Sequence, residues 1–100
     1  MLTLGLASAA LAPDAKAKGE QVYAAQKCAL CHSVAATGNK KGPLDDVGSR
    51  LTPEELRLWI VDAKGMAEKS KAPRKPAMRN YVLPPEDLDA LVAYLSALKK

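Results

Sequence analysis

The chain has 100 residues, of which 48% are hydrophobic and 26% charged, and a formal net charge of +4. This composition excludes a disordered or collagen-like protein and predicts one soluble globular domain. Eighteen alanines and fourteen leucines stand beside six valines, one isoleucine, one tryptophan and no phenylalanine. Because strands favour β-branched and aromatic residues, we predict an all-α fold. Alanine buries little area, so the predicted core is short of volume for so small a domain.

The N-terminal segment, Met1 to Ala12, is apolar and uncharged. It is too short to cross a bilayer as a helix, which takes about 20 residues. We interpret it as the remnant of an export signal or membrane anchor, or as a lead-in retained on the mature protein. The predicted domain follows over residues 13–100.

Two helices are predicted in the first two thirds of the chain. The first begins at an N-cap, Asp14, and runs to about Lys27. Residues 33–50 contain three glycines and a proline, which predict a loop. The second helix begins at Thr52, where proline follows and glutamate at the third position completes a capping box. We expect it to end near Gly65.

The last third of the chain contains a long loop and a final helix. Residues 66–83 include two prolines and lack helical periodicity, which predicts the loop. Pro84 precedes two acidic residues of a first helical turn. The helix that follows carries an apolar stripe, which consists of Leu88, Leu91, Val92, Leu95 and Leu98. Three to four helices are therefore expected in all.

Positive charge is concentrated between Lys64 and Arg79, where six basic residues accompany one acidic residue. We call residues 64–79 the basic segment. Such a patch is typical of proteins that bind nucleic acid, a membrane surface or an acidic protein. Nucleic acid is disfavoured because the chain has no known binding motif and no aromatic residue among these cations. A solvated loop and a docking surface for an acidic partner are the two remaining interpretations.

The sequence Cys28-Ala29-Leu30-Cys31-His32 has the C-x-x-C-H spacing of covalent haem attachment. Residues three and four positions apart lie on one face of a helical turn. Cys28 and Cys31 can therefore form thioethers with the two vinyl groups of one haem while His32 faces its iron. This predicts one covalently bound c-type haem with His32 as an axial ligand, and it explains the shortage of core volume.

Other uses of two cysteines fit the sequence less well. A thioredoxin-type redox pair belongs near a βαβ pattern, which is absent from this sequence. A structural zinc site needs four ligands, whereas the chain has two cysteines and one histidine. A disulfide between Cys28 and Cys31 would close too small a loop to add much stability.

The second axial ligand must come from another residue type, because His32 is the single histidine. Methionine paired with histidine raises the reduction potential of a cytochrome. Met1 is remote in the terminal segment and Met66 follows a predicted helix end, whereas Met78 lies at the far end of the long loop. We therefore favour Met78. Met66, a lysine and an open position remain alternatives.

Several further residues resemble those of the class I cytochrome c family across roughly residues 14–98. Gly19 and Tyr23 match the glycine and the aromatic residue on the first helix of that family, while Leu91 and Tyr94 match the last helix that crosses it. The resemblance implies a cytochrome c fold in which three to four helices pack around one haem. It also gives Gly19 a role, since two closely crossing helices leave no room for a side chain.

The resemblance also implies roles around the haem. Gly42-Pro43-Leu44 is similar to the loop in which the proline carbonyl accepts the ring N–H of the haem histidine, so Pro43 would orient His32. Trp59 resembles the tryptophan near a haem propionate, and plain core packing is its alternative role. Lys75 to Met78 resembles the ligand loop, although arginine rather than the usual proline follows Met78.

These observations predict an electron-transfer protein rather than an enzyme, because iron with both axial positions filled leaves none for a substrate. The protein would pass single electrons between respiratory or photosynthetic partners on the periplasmic or extracytoplasmic side of a membrane, soluble or tethered at its N-terminus. Its partners would present acidic surfaces to the basic segment. The alternatives are a cytochrome domain or subunit of a larger membrane oxidoreductase complex, and a haem sensor or peroxidase with a labile sixth ligand.

Overall fold

The computed structural model describes residues 15–99, so the apolar segment Met1 to Ala12 and the predicted cap at Asp14 lie outside the described residues. Five helices form within this range, together with a 3-10 turn and a two-stranded antiparallel hairpin. The helices are α1 (15–25), α2 (Val47–Arg50), α3 (Pro53–Val61), α4 (Ala63–Ser70) and α5 (Pro85–Ser96). The turn is Cys28–Leu30, and the strands are β1 (Ser33–Val34) and β2 (Thr37–Gly38). The all-α prediction is confirmed.

The first and last helices cross at Gly19, where the two backbones are in contact. A Cβ atom added at Gly19 would overlap the carbonyl oxygen of Ala90 and lie 2.5 Å from the Cβ atom of Tyr94. Beside this point the rings of Tyr23 and Tyr94 meet edge to face, with their centroids 5.7 Å apart. A glycine inside a helix lowers helical propensity, but here it permits the close crossing.

The second predicted helix consists of two helices. Its start is confirmed, since the hydroxyl of Thr52 accepts from the Glu55 N–H and the Glu55 carboxylate accepts from the Thr52 N–H. The end predicted near Gly65 is wrong. Helix α3 ends before Asp62, whose backbone is not helical and whose carboxylate accepts from the Gly65 N–H at 3.3 Å. Asp62 thereby caps α4, which extends to Ser70 and shortens the loop predicted over residues 66–83.

The loop predicted over residues 33–50 contains regular structure. The hairpin β1–β2 turns through two alanines, Ala35 and Ala36, with φ of 51° and 67°. This left-handed backbone is unfavourable for alanine, and the carboxylate of Asp45 supports it by accepting from the Ala35 N–H at 2.6 Å. Helix α2 follows and packs against the end of α5, where the Gly48 N–H donates to the Leu98 carbonyl at 2.7 Å. These features depend on partners distant in sequence, which local patterns do not reveal.

The buried core forms the wall of a cavity. Six of its eight hydrophobic residues line an internal space of about 350 Å³, and only Val22 and Val92 do not. The six are Tyr23, Val47, Leu56, Ile60, Leu91 and Leu95. The helices therefore pack around this space more than on one another. The shortage of volume expected from the composition corresponds to this cavity.

Helices long and apolar enough for a transmembrane span are absent from residues 15–99.

Candidate cofactor site

The cavity brings together five of the six predicted site residues. Its lining contains Cys28, Cys31 and His32 from the 3-10 turn, Trp59 from α3 and Met78 from the loop after α4. Most of the other lining residues are apolar, and the volume lies within the range of about 300 to 1,000 Å³ that is typical of small-molecule sites. The sixth predicted residue, Pro43, does not line it.

The 3-10 turn presents both thiols and the imidazole from one short stretch of backbone. Lys27 precedes it with a left-handed φ of 58°, which turns the chain sharply away from α1. The N–H groups of Cys31 and His32 both donate to the Cys28 carbonyl, at 3.1 and 2.9 Å. Cys28 is half-buried and Cys31 is exposed, and neither forms a disulfide. Burial raises the pKa of the Cys28 thiol.

Asn39 fastens the same turn, a role that the sequence prediction missed. Its backbone N–H donates to the carbonyls of Ala29 and His32 at 3.0 and 2.9 Å, and its side chain donates to the Leu30 carbonyl at 3.0 Å. The polar residue after Gly38 was the available signal, but its partners depend on how the hairpin folds back. Three hydrogen bonds from one residue fix the backbone on which the thiols and imidazole stand.

The ring of His32 is oriented by the carbonyl of Gly42. Nδ1 lies 3.0 Å from that oxygen, and because a carbonyl can only accept, Nδ1 carries the proton and Nε2 keeps a free lone pair. The prediction named the Pro43 carbonyl as acceptor, and the structure corrects it by one residue. Pro43 instead forms an isolated β-bridge with Ser33. The Ser33 N–H also donates to the Gly42 carbonyl. Burial lowers the pKa of His32 and favours the neutral imidazole that binds metals.

Met78 lines the cavity from the loop after α4, whereas Met66 lies in α4 and does not line it. The chain is anchored directly after Met78. The side chain of Asn80 accepts from the Lys64 N–H at 2.9 Å, and the Tyr81 N–H donates to the Ile60 carbonyl at 2.8 Å. These bonds attach the end of the loop to α3 and α4 and hold Met78 beside the cavity.

Trp59 lines the cavity from α3 and is half-buried. Two arginines that the sequence prediction did not select also line it, Arg50 and Arg74. Arg50 forms an ion pair with Asp46 at 3.0 Å. Nothing in the local sequence distinguishes these arginines from the other cations of the chain, because their placement depends on tertiary packing.

The basic segment is largely exposed. Five of its six cations are solvent-exposed, namely Lys64, Lys69, Lys71, Lys75 and Arg79, and Arg74 is half-buried. The ion pairs found among residues 15–99 use Lys18, Arg50 and Arg57, none of which belongs to this segment. Arg79 stacks on the ring of Tyr81 at 4.7 Å. Within the described part of the chain none of these cations forms an ion pair, so the segment presents a net positive charge.

The donors around the cavity fit a covalently attached haem. Two free thiols, an imidazole with a free Nε2 and a thioether surround an apolar space. Tyr23 also lines the cavity, and its buried hydroxyl has no hydrogen-bond partner among residues 15–99; burial raises its pKa to about 12. A bare metal ion fits less well, since residues 15–99 hold no group of three His, Cys, Asp or Glu that could bind one.

The fold and the cavity define a class of protein, a small helical domain arranged around a large cofactor. The chain belongs to the cytochrome c family, whose family model, described as cytochrome c, matches residues 16–99. The resemblance and the cytochrome c fold expected from the sequence are thus confirmed. Proteins of this family carry covalently bound c-type haem and transfer electrons.

Among curated proteins, the chain is similar to cytochrome c oxidase subunit 2 of Alkalihalophilus pseudofirmus. The two are 33% identical over an alignment of 91 residues. The match covers 82% of this chain and 25% of the relative. The chain therefore spans about a quarter of the length of that relative. No solved structure matches the chain significantly.

Proposed function

We propose that the protein is a one-electron carrier with a single haem, held by thioethers to Cys28 and Cys31 and by axial ligation from His32 and Met78. The observation that carries the proposal is that these four residues, from two separate parts of the chain, line one largely apolar cavity. When bound, the haem supplies an iron that alternates between the ferrous and ferric states. The family and the expected export of the chain support a site of action on the extracytoplasmic side of a membrane.

The residues of the chain have distinct roles in this proposal. The Gly42 carbonyl holds the tautomer and orientation of His32, which leaves Nε2 for the iron. Asn80 and Tyr81 hold the loop that carries Met78. The lining is mostly apolar, and apolar surroundings strengthen the influence of nearby charges on the potential. If His32 and Met78 both bound the iron, no position on it would remain for a substrate.

Replacing Met78 by leucine tests the ligand assignment. We expect the wild-type ferric protein to show the far-red absorption band of a methionine–iron bond, and Met78→Leu to lose it. The ferrous variant should then bind carbon monoxide, which the wild type resists. Met66→Leu is the matched control and should keep the band, because Met66 does not line the cavity. Absence of the band from the wild type would refute ligation by Met78 and favour the sensor or peroxidase alternative.

The basic segment supports a further part of the proposal, docking of an acidic redox partner. We expect the second-order rate of electron transfer, measured by stopped flow, to fall about tenfold between low and high salt. Lys75→Gln, in the basic segment, should lower the low-salt rate more than Lys16→Gln, an exposed lysine of α1. A rate that does not change with salt would exclude electrostatic steering.

A second candidate function is a cytochrome domain of a larger oxidoreductase. It is favoured by the similarity to an oxidase subunit of which the chain spans about a quarter. The sequence of the gene on both sides of this segment tests it. A fused second domain would establish this candidate, whereas a short export signal alone would favour the independent carrier.

A further inference from the structure

Arg74 differs from the other cations of the basic segment. It is half-buried and lines the cavity, whereas the other five are exposed. Its guanidinium lies against Gly42, where a Cβ atom added to the glycine would overlap Nη1 of Arg74. The same Cβ position would overlap the Cys31 carbonyl oxygen and lie 3.0 Å from Nδ1 of His32. Arg74 precedes Met78 by four residues, and its guanidinium therefore lies in the neighbourhood of the His32 ring.

No acidic side chain neutralises this guanidinium among residues 15–99. The ion pairs there use Lys18, Arg50 and Arg57. Arg50 is the other arginine that lines the cavity, and its charge is balanced by Asp46 at 3.0 Å.

We propose that Arg74 is a positioning residue that raises the reduction potential of the site by holding a fixed positive charge beside His32. Oxidation adds one positive charge at the iron, so a neighbouring cation disfavours the ferric state. A half-buried charge is screened by salt less than an exposed one. A side chain at position 42 would overlap both this guanidinium and the backbone carbonyl oxygen of Cys31, so the glycine permits the arrangement. The inference rests on the proposed function and adds the residue that tunes it.

The reduction potentials of three variants test the proposal. In Arg74→Gln we expect the ratio of reduced to oxidised protein at a fixed potential to fall about fivefold, at both low and high salt. Lys75→Gln removes the neighbouring exposed cation and should produce a smaller change that disappears at high salt. Arg74→Lys retains a positive charge on a flexible side chain. Its reduction potential should recover at least half of the decrease seen in Arg74→Gln, when both changes are expressed as free energies.

Two results would overturn the proposal. One is an Arg74→Gln shift no larger than that of Lys75→Gln, or one that disappears at high salt. The other is an Arg74→Lys protein with a potential as low as that of Arg74→Gln, since that outcome would assign the effect to hydrogen bonding rather than charge. If Arg74→Gln does not fold, Arg74→Met repeats the test with a side chain that keeps the apolar stem.

The far-red band separates this inference from the proposed function. We expect Arg74→Gln to keep the band, which would show that Met78 still binds the iron while the potential has moved. Loss of the band in Arg74→Gln would mean that Arg74 acts through the Met78 loop, and would contradict the inference. If the wild type also lacked the band, the Met78 assignment would be wrong. The effect of Arg74 on the reduction potential could still be read from the variants.

Discussion

The double variant Cys28→Ala/Cys31→Ala is expected to be largely unfolded, because it cannot attach the cofactor around which the core is arranged. Six of the eight core residues line the cavity. Without the cofactor their apolar surface would face water, at a cost of about 25 cal/mol per Å² of apolar area left unburied. A domain of this size has a free energy of unfolding of only about 5 to 15 kcal/mol with which to offset that cost. Binding energy of the cofactor is therefore part of the folding energy.

Far-UV circular dichroism and thermal unfolding measure this effect. The double variant should lose most of its helical signal at 25 °C and show no cooperative transition. Leu30→Ala is the matched control, since Leu30 lies between the two cysteines and is 71% exposed. It should keep both the haem and the fold. A helical double variant with a cooperative transition would show that the chain fills the cavity by itself and that its core had been misinterpreted.

Replacing Gly19 by alanine is expected to destabilise the protein by about 3 kcal/mol or more. The new methyl group would overlap the Ala90 carbonyl oxygen and the Cβ atom of Tyr94. Neither atom belongs to the far end of a flexible side chain, so the two helices must separate. Separation also disrupts the contact between the Tyr23 and Tyr94 rings. The gain in helical propensity, about 1 kcal/mol, is too small to offset this loss.

Gly65→Ala provides the comparison for the same change. Gly65 is also inside a helix, but a Cβ atom there would meet the carboxylate of Asp62, which can rotate away. Rotation breaks the hydrogen bond by which Asp62 caps α4, and this loss of about 1 kcal/mol is offset by a gain in helical propensity of about 1 kcal/mol. We therefore expect a change in stability close to zero, and chemical denaturation should show a much larger loss for Gly19→Ala. Equal effects of the two substitutions would contradict close crossing of α1 and α5 at Gly19.

Local sequence signals predicted those helices whose boundaries are set by neighbouring residues. The start of α3 was predicted correctly because its capping interactions are all local, formed by Thr52, Pro53 and Glu55. The boundary at Asp62 was missed because Asp62 ends one helix and caps the next, while Gly65 resembles a C-terminal signal. When one residue ends a helix and also caps the next, the sequence alone does not show the boundary between them.

In the candidate site, too, local sequence predicts some residues, whereas others depend on tertiary contacts. Cys28, Cys31 and His32 could be selected from spacing alone, and Met78 from its place in the chain. The acceptor for His32 was assigned to Pro43 instead of Gly42, because a shift of one carbonyl depends on the path of the backbone. Arg74 could not have been selected, since its position beside Gly42 arises when two distant loops meet across the cavity.

The contact between α1 and α5 joins helices that lie at the two ends of residues 15–99. Gly19 meets its partners only when Ala90 and Tyr94 are present, so a fragment that ends before Ala90 cannot close this crossing. The two ends of the domain are therefore expected to become ordered together rather than one after the other.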